Sequence, residues 1–329
     1  MQVVAKRLPD WLARSTGVLA SVLIATGAVA QGFPSRAVTI VVPFTVGTGV
    51  DIIGRSVGQK LAERWGQAVV VDNKAGASGT VGGSIVARAT PDGHTLLLTS
   101  NAFLMTTLLT KTTPFDPMRD FEPISYMGSA WLMVVANPGT KLESIADLIR
   151  TAKAQPGGLA YASTGTGTPQ HMAVEMFKNL TGTNLLHVPY KGTAPAVTDL
   201  ISGQVQLMFL PVHVSLPHVK AGRMRALAVA SPDRHPTAPD VPTLKELGVP
   251  GAEVVVWYGL LAPKGTPRDT VARIVADYRA VAALPDVKQS AASQGIDLVS
   301  TTPTEFAAFM ENELVRWPKV IREGGIKAD

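Results

Sequence analysis

Apolar positions along the chain fall into short unbroken runs, separated by stretches in which they recur at helical spacing. The runs VTIVV (38–42), AVVVDN (68–73) and HTLLLTS (94–100) predict strands. They do not alternate with polar residues, as befits a sheet covered on both faces. Between them Ile53, Val57, Leu61 and Trp65 recur every four residues and predict a helix that Gly66 ends. A second helix is predicted from Thr80 to Ala89, before the turn TPDG (90–93). The rhythm then repeats. A helix over 145–155, opened by the S-x-x-D pair Ser144 and Asp147, leads to a strand at 159–163, a helix at 169–180, a strand at 184–189 and a helix at 194–202. The runs 204–210 and 225–231 complete this half. Strands alternating with helices predict parallel pairing in an α/β architecture.

The last part of the chain breaks the pattern. EVVVWYGLLAP (253–263) is one long extended run, followed by helical segments, the run IDLVS (296–300) and a final helix. That helix opens with Thr302, Pro303 and Glu305, a capping box with proline in the first turn. One strand and a few helices bury too little to stand alone, so they are expected to pack on the first lobe. The chain then divides into residues 31–130 with 255–329 as one lobe and 131–254 as the other. It leaves the first lobe near 128–134 and returns near 253–258. Two crossings make a hinge, and the cleft between lobes is the expected ligand site.

The first thirty residues read as a leader rather than as part of the fold. Lys6, Arg7 and Arg14 precede the apolar stretch TGVLASVLIATGAVA (16–30), which ends in Ala28-Val29-Ala30 before Gln31. A basic head, a short apolar stretch and a small-x-small site are the three parts of a cleaved export signal, with cleavage expected after Ala30. The mature protein is then expected in the periplasm. Of the formal charge of +5, the basic residues of this segment less Asp10 supply +2, which leaves +3. The remaining Lys and Arg are scattered, so nucleic-acid binding is not expected. Hydrophobic residues at 46% allow a sizeable core, and charged residues at 17% exclude a disordered chain. With no cysteine, disulfides, thiolate metal sites and a catalytic thiol are excluded.

Candidate chemistry lies in the glycine turns after strands. PFTVGTGVD (43–51) has Gly47 and Gly49 but Ile52 where a dinucleotide fingerprint needs a third glycine, and it lacks the Gly-Lys-Ser/Thr of a P-loop. What remains is a strand, a turn and a helix N-terminus, whose free amides and dipole suit an anion. Asp51 reads as the cap of that helix rather than as a catalyst. NKAGASGTVGG (73–83) and YASTGTGTPQH (161–171) repeat the device, the latter with Ser163, Thr164, Thr166 and Thr168 around two glycines. Enzyme signals are poor. Ser163 lacks the nucleophile-elbow pattern, no two histidines are three or four apart, and no nucleophile, base and orienter assemble. His171 and His187 read as structural, and His213 and His218 are a poor metal pair. No metal, cofactor or catalytic residue is expected.

The segments PFTVGTGVDIIGR, VVVDNKAGASGTVGG, PDGHTLLL, YASTGTGTPQHMAVEMFK, HVPYKGTAPAVTDLISGQVQLMF, SLPHVKAGRMRALAV and WYGLLAP resemble the solute receptors of tripartite tricarboxylate transporters, the Bug family, from about Arg36 to Asp329. The resemblance implies a two-lobed periplasmic-binding-protein fold of type II, with mixed, mostly parallel sheets. It implies a monomer that captures a small carboxylate for a transporter with integral membrane subunits. Carried over, the ligand-binding positions are Phe44, Thr45, Val46, Gly47, Thr48, Ser78, Ser100 and Asn101 in the first lobe. In the second they are Thr164, Gly165, Thr166, Thr168, Tyr190 and Lys191. Two positions depart from the family: Thr48 separates Gly47 from Gly49 where glycines usually run together, and Leu210 stands where an aspartate is usual. A carboxylate at 210 would partner a ligand ammonium, so Leu210 points to an acid without an amino group, with Phe44 and Trp257 as flat surface for its body. Two other readings stay open: a secreted hydrolase with a cleft histidine as base, and a ligand-sensing subunit of a signalling system.

Overall fold

The computed structural model describes residues 32–110, 113–323 and 326; the leader and its cleavage site lie outside them. The chain enters through β1 (Val38–Val42), α1 (Gly49–Trp65), β2 (Val69–Asn73), α2 (Thr80–Ala87), β3 (Thr95–Ser100) and α3 (Ala102–Leu109). A long strand, β4 (Phe121–Ala136), then leads to α4 (Ile145–Ala154), β5 (Ala160–Ser163), α5 (Pro169–Thr181), β6 (Leu186–Pro189) and α6 (Thr193–Ser202). β7 (Leu207–Pro211), α7 (Val212–Lys220) and β8 (Arg225–Val229) follow. β9 (Val255–Pro263), α8 (Arg268–Ala282), α9 (Pro285–Ser293), β10 (Ile296–Leu298) and α10 (Pro303–Glu323) end the described chain.

The strands pair in the order β2-β1-β3-β9-β4-β7-β5-β6, with β8 and β10 also on β4. Parallel pairing is confined to the outer strands, β1 with β2 and β3, and β5 with β6 and β7. The central pairs, β3 with β9 and β4 with β9 and β7, are antiparallel. The mixed sheet follows from the two long strands at its centre, β4 and β9. β4 pairs with β9 from Phe121 to Trp131 and with β7 from Leu132 to Ala136, so one strand serves both lobes. The last part of the chain packs on the first lobe: Phe306 and Met310 of α10 join Phe103, Phe115, Phe121 and Trp257 in one apolar cluster.

Local chemistry explains the elements that frame the cleft. Ile53, Val57, Leu61 and Trp65 are all buried, and Gly66 closes α1 in a left-handed conformation (φ 63°) with its N–H on the Ala62 carbonyl. Trp65 donates from Nε1 to Asp277 at 2.8 Å, and Arg64 and Arg273 flank the same carboxylate, tying α1 to α8. The Thr302–Glu305 box forms in both directions, at 2.7 and 3.2 Å.

Asp51 does not cap α1. The N-cap is Thr48, whose hydroxyl donates to the Thr45 carbonyl at 3.0 Å, and Asp51 lies three residues inside the helix. Its carboxylate reaches back to the Gly47 N–H at 3.0 Å and also accepts from Asn73 and Arg55. Burial pushes this carboxyl up, but donation by Arg55, Gly47 and Asn73 outweighs it and holds the group below the usual aspartate range. Asp51 therefore fixes the shape of the turn.

Candidate ligand site

The three glycine turns meet in one cavity of about 300 Å³ between the lobes. From the first lobe come Phe44, Thr45, Thr48, Gly49 and Val50 after β1, the 75–79 turn after β2, and Ser100 at the end of β3. From the second come Thr164, Gly165, Thr168 and Gln170 after β5, Tyr190, Lys191 and Thr193 after β6, and Pro211 and Val214 after β7. Val256 and Tyr258 of β9 also line it. Each contributing turn lies at the carboxyl end of its strand, so α1, α5 and α6 begin at the cavity. The first intrahelical bonds run from Ile52 N–H to the Thr48 carbonyl and from Met172 N–H to the Thr168 carbonyl. The amides ahead of them face the cavity with the positive ends of the helix dipoles. Lys191 is the only charged lining residue, and no carboxylate lines the cavity among the described residues.

The lobes touch across this space. Ser78 donates to the Thr166 carbonyl at 2.9 Å. Ser78 holds a left-handed conformation (φ 51°), a cost that a non-glycine residue bears only where the surroundings enforce it. Two glycines make the approach possible. A Cβ on Gly165 would lie 2.6 Å from the Ser78 hydroxyl, and one on Gly192 would lie 2.5 Å from the Thr45 methyl.

Most lining hydroxyls are already committed as donors. Thr48 donates to the Thr45 carbonyl, Thr164 to Gln170, Thr168 to the Gly165 carbonyl, and Tyr190 to Asp199. Burial and the Asp199 carboxylate push the Tyr190 phenol up to about 12. Two lining hydroxyls, Thr45 Oγ1 and Tyr258 Oη, are buried and have no partner.

Of the sequence-derived positions, Phe44, Thr45, Thr48, Ser78, Ser100, Thr164, Gly165, Thr168, Tyr190 and Lys191 line the cavity. Val46, Gly47, Asn101, Thr166 and Leu210 do not. Val46 points to solvent, and the Gly47 amide is taken by Asp51. Asn101 is fully buried and donates to the Val255 carbonyl, and Thr166 contributes its carbonyl to the lobe contact. Leu210 is fully buried opposite Met133 in the core of the second lobe, so it forms no cavity wall; its neighbour Pro211 does. Trp257 is also core, packed on Tyr126, Phe306 and Phe309 with its N–H on Glu313. Among the polar lining residues, sequence reading passed over Gln170, Thr193 and Tyr258. In a run buried on both faces, periodicity does not say which side chain meets the cleft.

Ser163 and His187, 24 residues apart, meet at 2.6 Å because β5 and β6 pair in parallel. This is no nucleophile. Ser163 is fully buried off the cavity, and its hydroxyl also engages both the N–H and the carbonyl of Gly165, which holds the glycine turn in shape. No group of three His, Cys, Asp or Glu able to hold a metal occurs among the described residues.

Comparison with known proteins agrees with this architecture. The sequence model for the tripartite tricarboxylate transporter family receptor matches residues 53–326. The chain belongs to this receptor family. A Pseudomonas sp. (strain P51) relative, the UPF0065 protein in the tcbD-tcbE intergenic region, is 40% identical over 91% of this chain and 89% of its own length. Among solved structures, R. palustris Rpa4515 with adipate has a TM-score of 0.87 at 34% identity, covering 90% of this chain and 99% of that one. The periplasmic binding protein BugD has a TM-score of 0.86 at 34% identity, with 90% and 99% covered. MatC from Rhodopseudomonas palustris with bound malate has a TM-score of 0.83 at 30% identity, covering 88% of this chain and 100% of that one. The fold is the two-lobed periplasmic-binding-protein fold, and the protein is a solute-binding receptor, not an enzyme.

Proposed function

We propose that this receptor captures a small organic mono- or dicarboxylate without an amino group and delivers it to the integral membrane subunits of a tripartite tricarboxylate-type transporter. It works in the periplasm after losing its leader behind Ala30. Residues 31–130 with 255–329, and residues 131–254, act as the two closing lobes. The observation that carries this reading is the polarity of the cavity. Three helix N-termini and Lys191 face it with no carboxylate among its walls, so an anion gains and an ammonium finds no counter-charge. Adipate and malate, held by the two Rhodopseudomonas relatives, are both acids of this kind.

Charge-assisted hydrogen bonds contribute about 1.5–3 kcal/mol gross apiece, enough for micromolar affinity near −8 kcal/mol. Ligand at a hundredfold excess over Kd then adds roughly 2.7 kcal/mol of stability. Calorimetric titration with malate, succinate, adipate and benzoate against aspartate and glutamate tests the reading, alongside native mass spectrometry of ligand retained through purification. Tight binding of glutamate with no binding of any amine-free acid would overturn it.

A further inference from the structure

The geometry points to Tyr258 as a specificity-determining ligand donor, its phenol O–H binding a carboxylate oxygen held against the first turn of α1. This inference rests on the carboxylate reading above. Tyr258 stands in the middle of β9, opposite Ser100 of β3 and Gly128 of β4, so its backbone is fixed from both sides. Its side chain is 1% exposed, yet it lines the cavity. The hydroxyl rests against Gly49, the first residue of α1: a Cβ there would lie 2.2 Å from Oη. The absence of a side chain at 49 is what admits the phenol to the helix start.

At that point two kinds of donor converge. Gly49, Val50 and Asp51 precede the first intrahelical bond of α1, and Gly49 and Val50 line the cavity beside Tyr258. An oxygen seated there receives backbone N–H groups and a side-chain O–H together. The phenol has no other acceptor. His213 approaches the same glycine, with Cε1 3.0 Å from the Cβ position, but both its ring nitrogens are themselves without partners. A buried hydroxyl left unbonded is costly and calls for a reason. The neighbouring hydroxyls of Thr48, Thr164, Thr168 and Tyr190 all donate within the protein, which leaves Tyr258 and Thr45 as the buried lining hydroxyls without a partner, and of these Tyr258 is the one set against the start of α1. Burial also raises the phenol's pKa, so it remains a neutral donor across physiological pH.

The test is Tyr258→Phe, which keeps the ring and removes only the donor. Calorimetry uses whichever of malate, succinate, adipate and benzoate the wild-type receptor binds. The expected result is a ten- to hundredfold rise in Kd, with the melting temperature of the ligand-free protein unchanged or higher because an unbonded buried hydroxyl is gone. A Kd within twofold of wild type would overturn the inference. So would a fall of several degrees in the ligand-free melting temperature, since that would mean the phenol serves a bond inside the protein. If wild type binds none of the four acids, the carboxylate reading fails and takes this inference with it. That outcome is distinct from wild-type binding that the substitution leaves intact.

Discussion

Acid should weaken this fold through one residue in particular, His213. It sits in the first turn of α7, where the helix dipole disfavours a cation, and is 8% exposed with both ring nitrogens unpartnered. Burial, and to a lesser degree the neighbouring His235, lower its pKa from 6.5 to about 4. His235 is itself lowered by burial, partly offset by Asp297. For His213 the folded value lies below the unfolded one. Above pH 6.5 neither state binds the proton, and the group contributes nothing. As pH falls through 6.5 the unfolded chain takes up a proton that the folded protein refuses. Stability is therefore lost at about 1.4 kcal/mol per pH unit, down to about pH 4, a total of about 3 kcal/mol. His213→Leu removes this loss. Denaturant unfolding of both proteins between pH 7 and pH 4.5, followed by circular dichroism, isolates the effect, because carboxylate titrations common to both cancel in the difference. The variant should gain on wild type by about 2–3 kcal/mol across that range. Parallel stability curves would refute the reasoning and would mean that His213 is protonated, or solvated, in the folded protein.

Two other substitutions probe the placement of residues around the cleft. Leu210→Asp should destabilise the ligand-free protein by roughly 4 kcal/mol or more, since the side chain is fully buried in the second lobe's core; a melting temperature near wild type with altered ligand choice would contradict that placement. Ser78→Ala removes the donor to the Thr166 carbonyl, and with it about 0.5–1.5 kcal/mol that favours closure, so Kd should rise between about two- and tenfold with little change in ligand-free stability. Equal affinity for the two proteins by calorimetry would show that the lobe contact does not support binding.

The physical signals in the sequence reach as far as local patterns do. β1 lies at Val38–Val42, as its apolar run predicts, and α1 buries the four residues spaced along it. β4 was not legible as one strand. Pro123 and Gly128 interrupt its apolar pattern, and the structure absorbs them with register shifts near Pro123/Ser125 and Tyr126/Gly128. Nor was α3 legible: AFLMTTLL is apolar nearly all round, with Ala102 through Thr106 all buried, so it carries no helical stripe. At the site, the glycine turns announce where amides are free. Sequence does not reveal which hydroxyls the turns themselves consume, because Thr48, Thr164 and Thr168 bond according to loop geometry. The expectation that Leu210 forms a cavity wall fails for a related reason. Leu210 and Pro211 are adjacent, and only the strand's orientation decides which one meets the cavity.

The division of β4 between the two lobes limits how this receptor can be recombined. Up to Trp131 the strand pairs with β9 and β10, and from Leu132 it pairs with β7 and β8, so a junction between these two residues leaves each half its own segment of β4. A junction placed elsewhere in β4 would separate residues from their strand partners and expose edges prone to pairing with other chains. Exchange of a ligand-binding half between paralogues therefore has to divide β4 at that point and keep its register on both sides. Point changes on the turns leave that strand untouched. For a receptor built in this way, a module swap has one permitted junction in β4, whereas altering the cavity walls one residue at a time needs none.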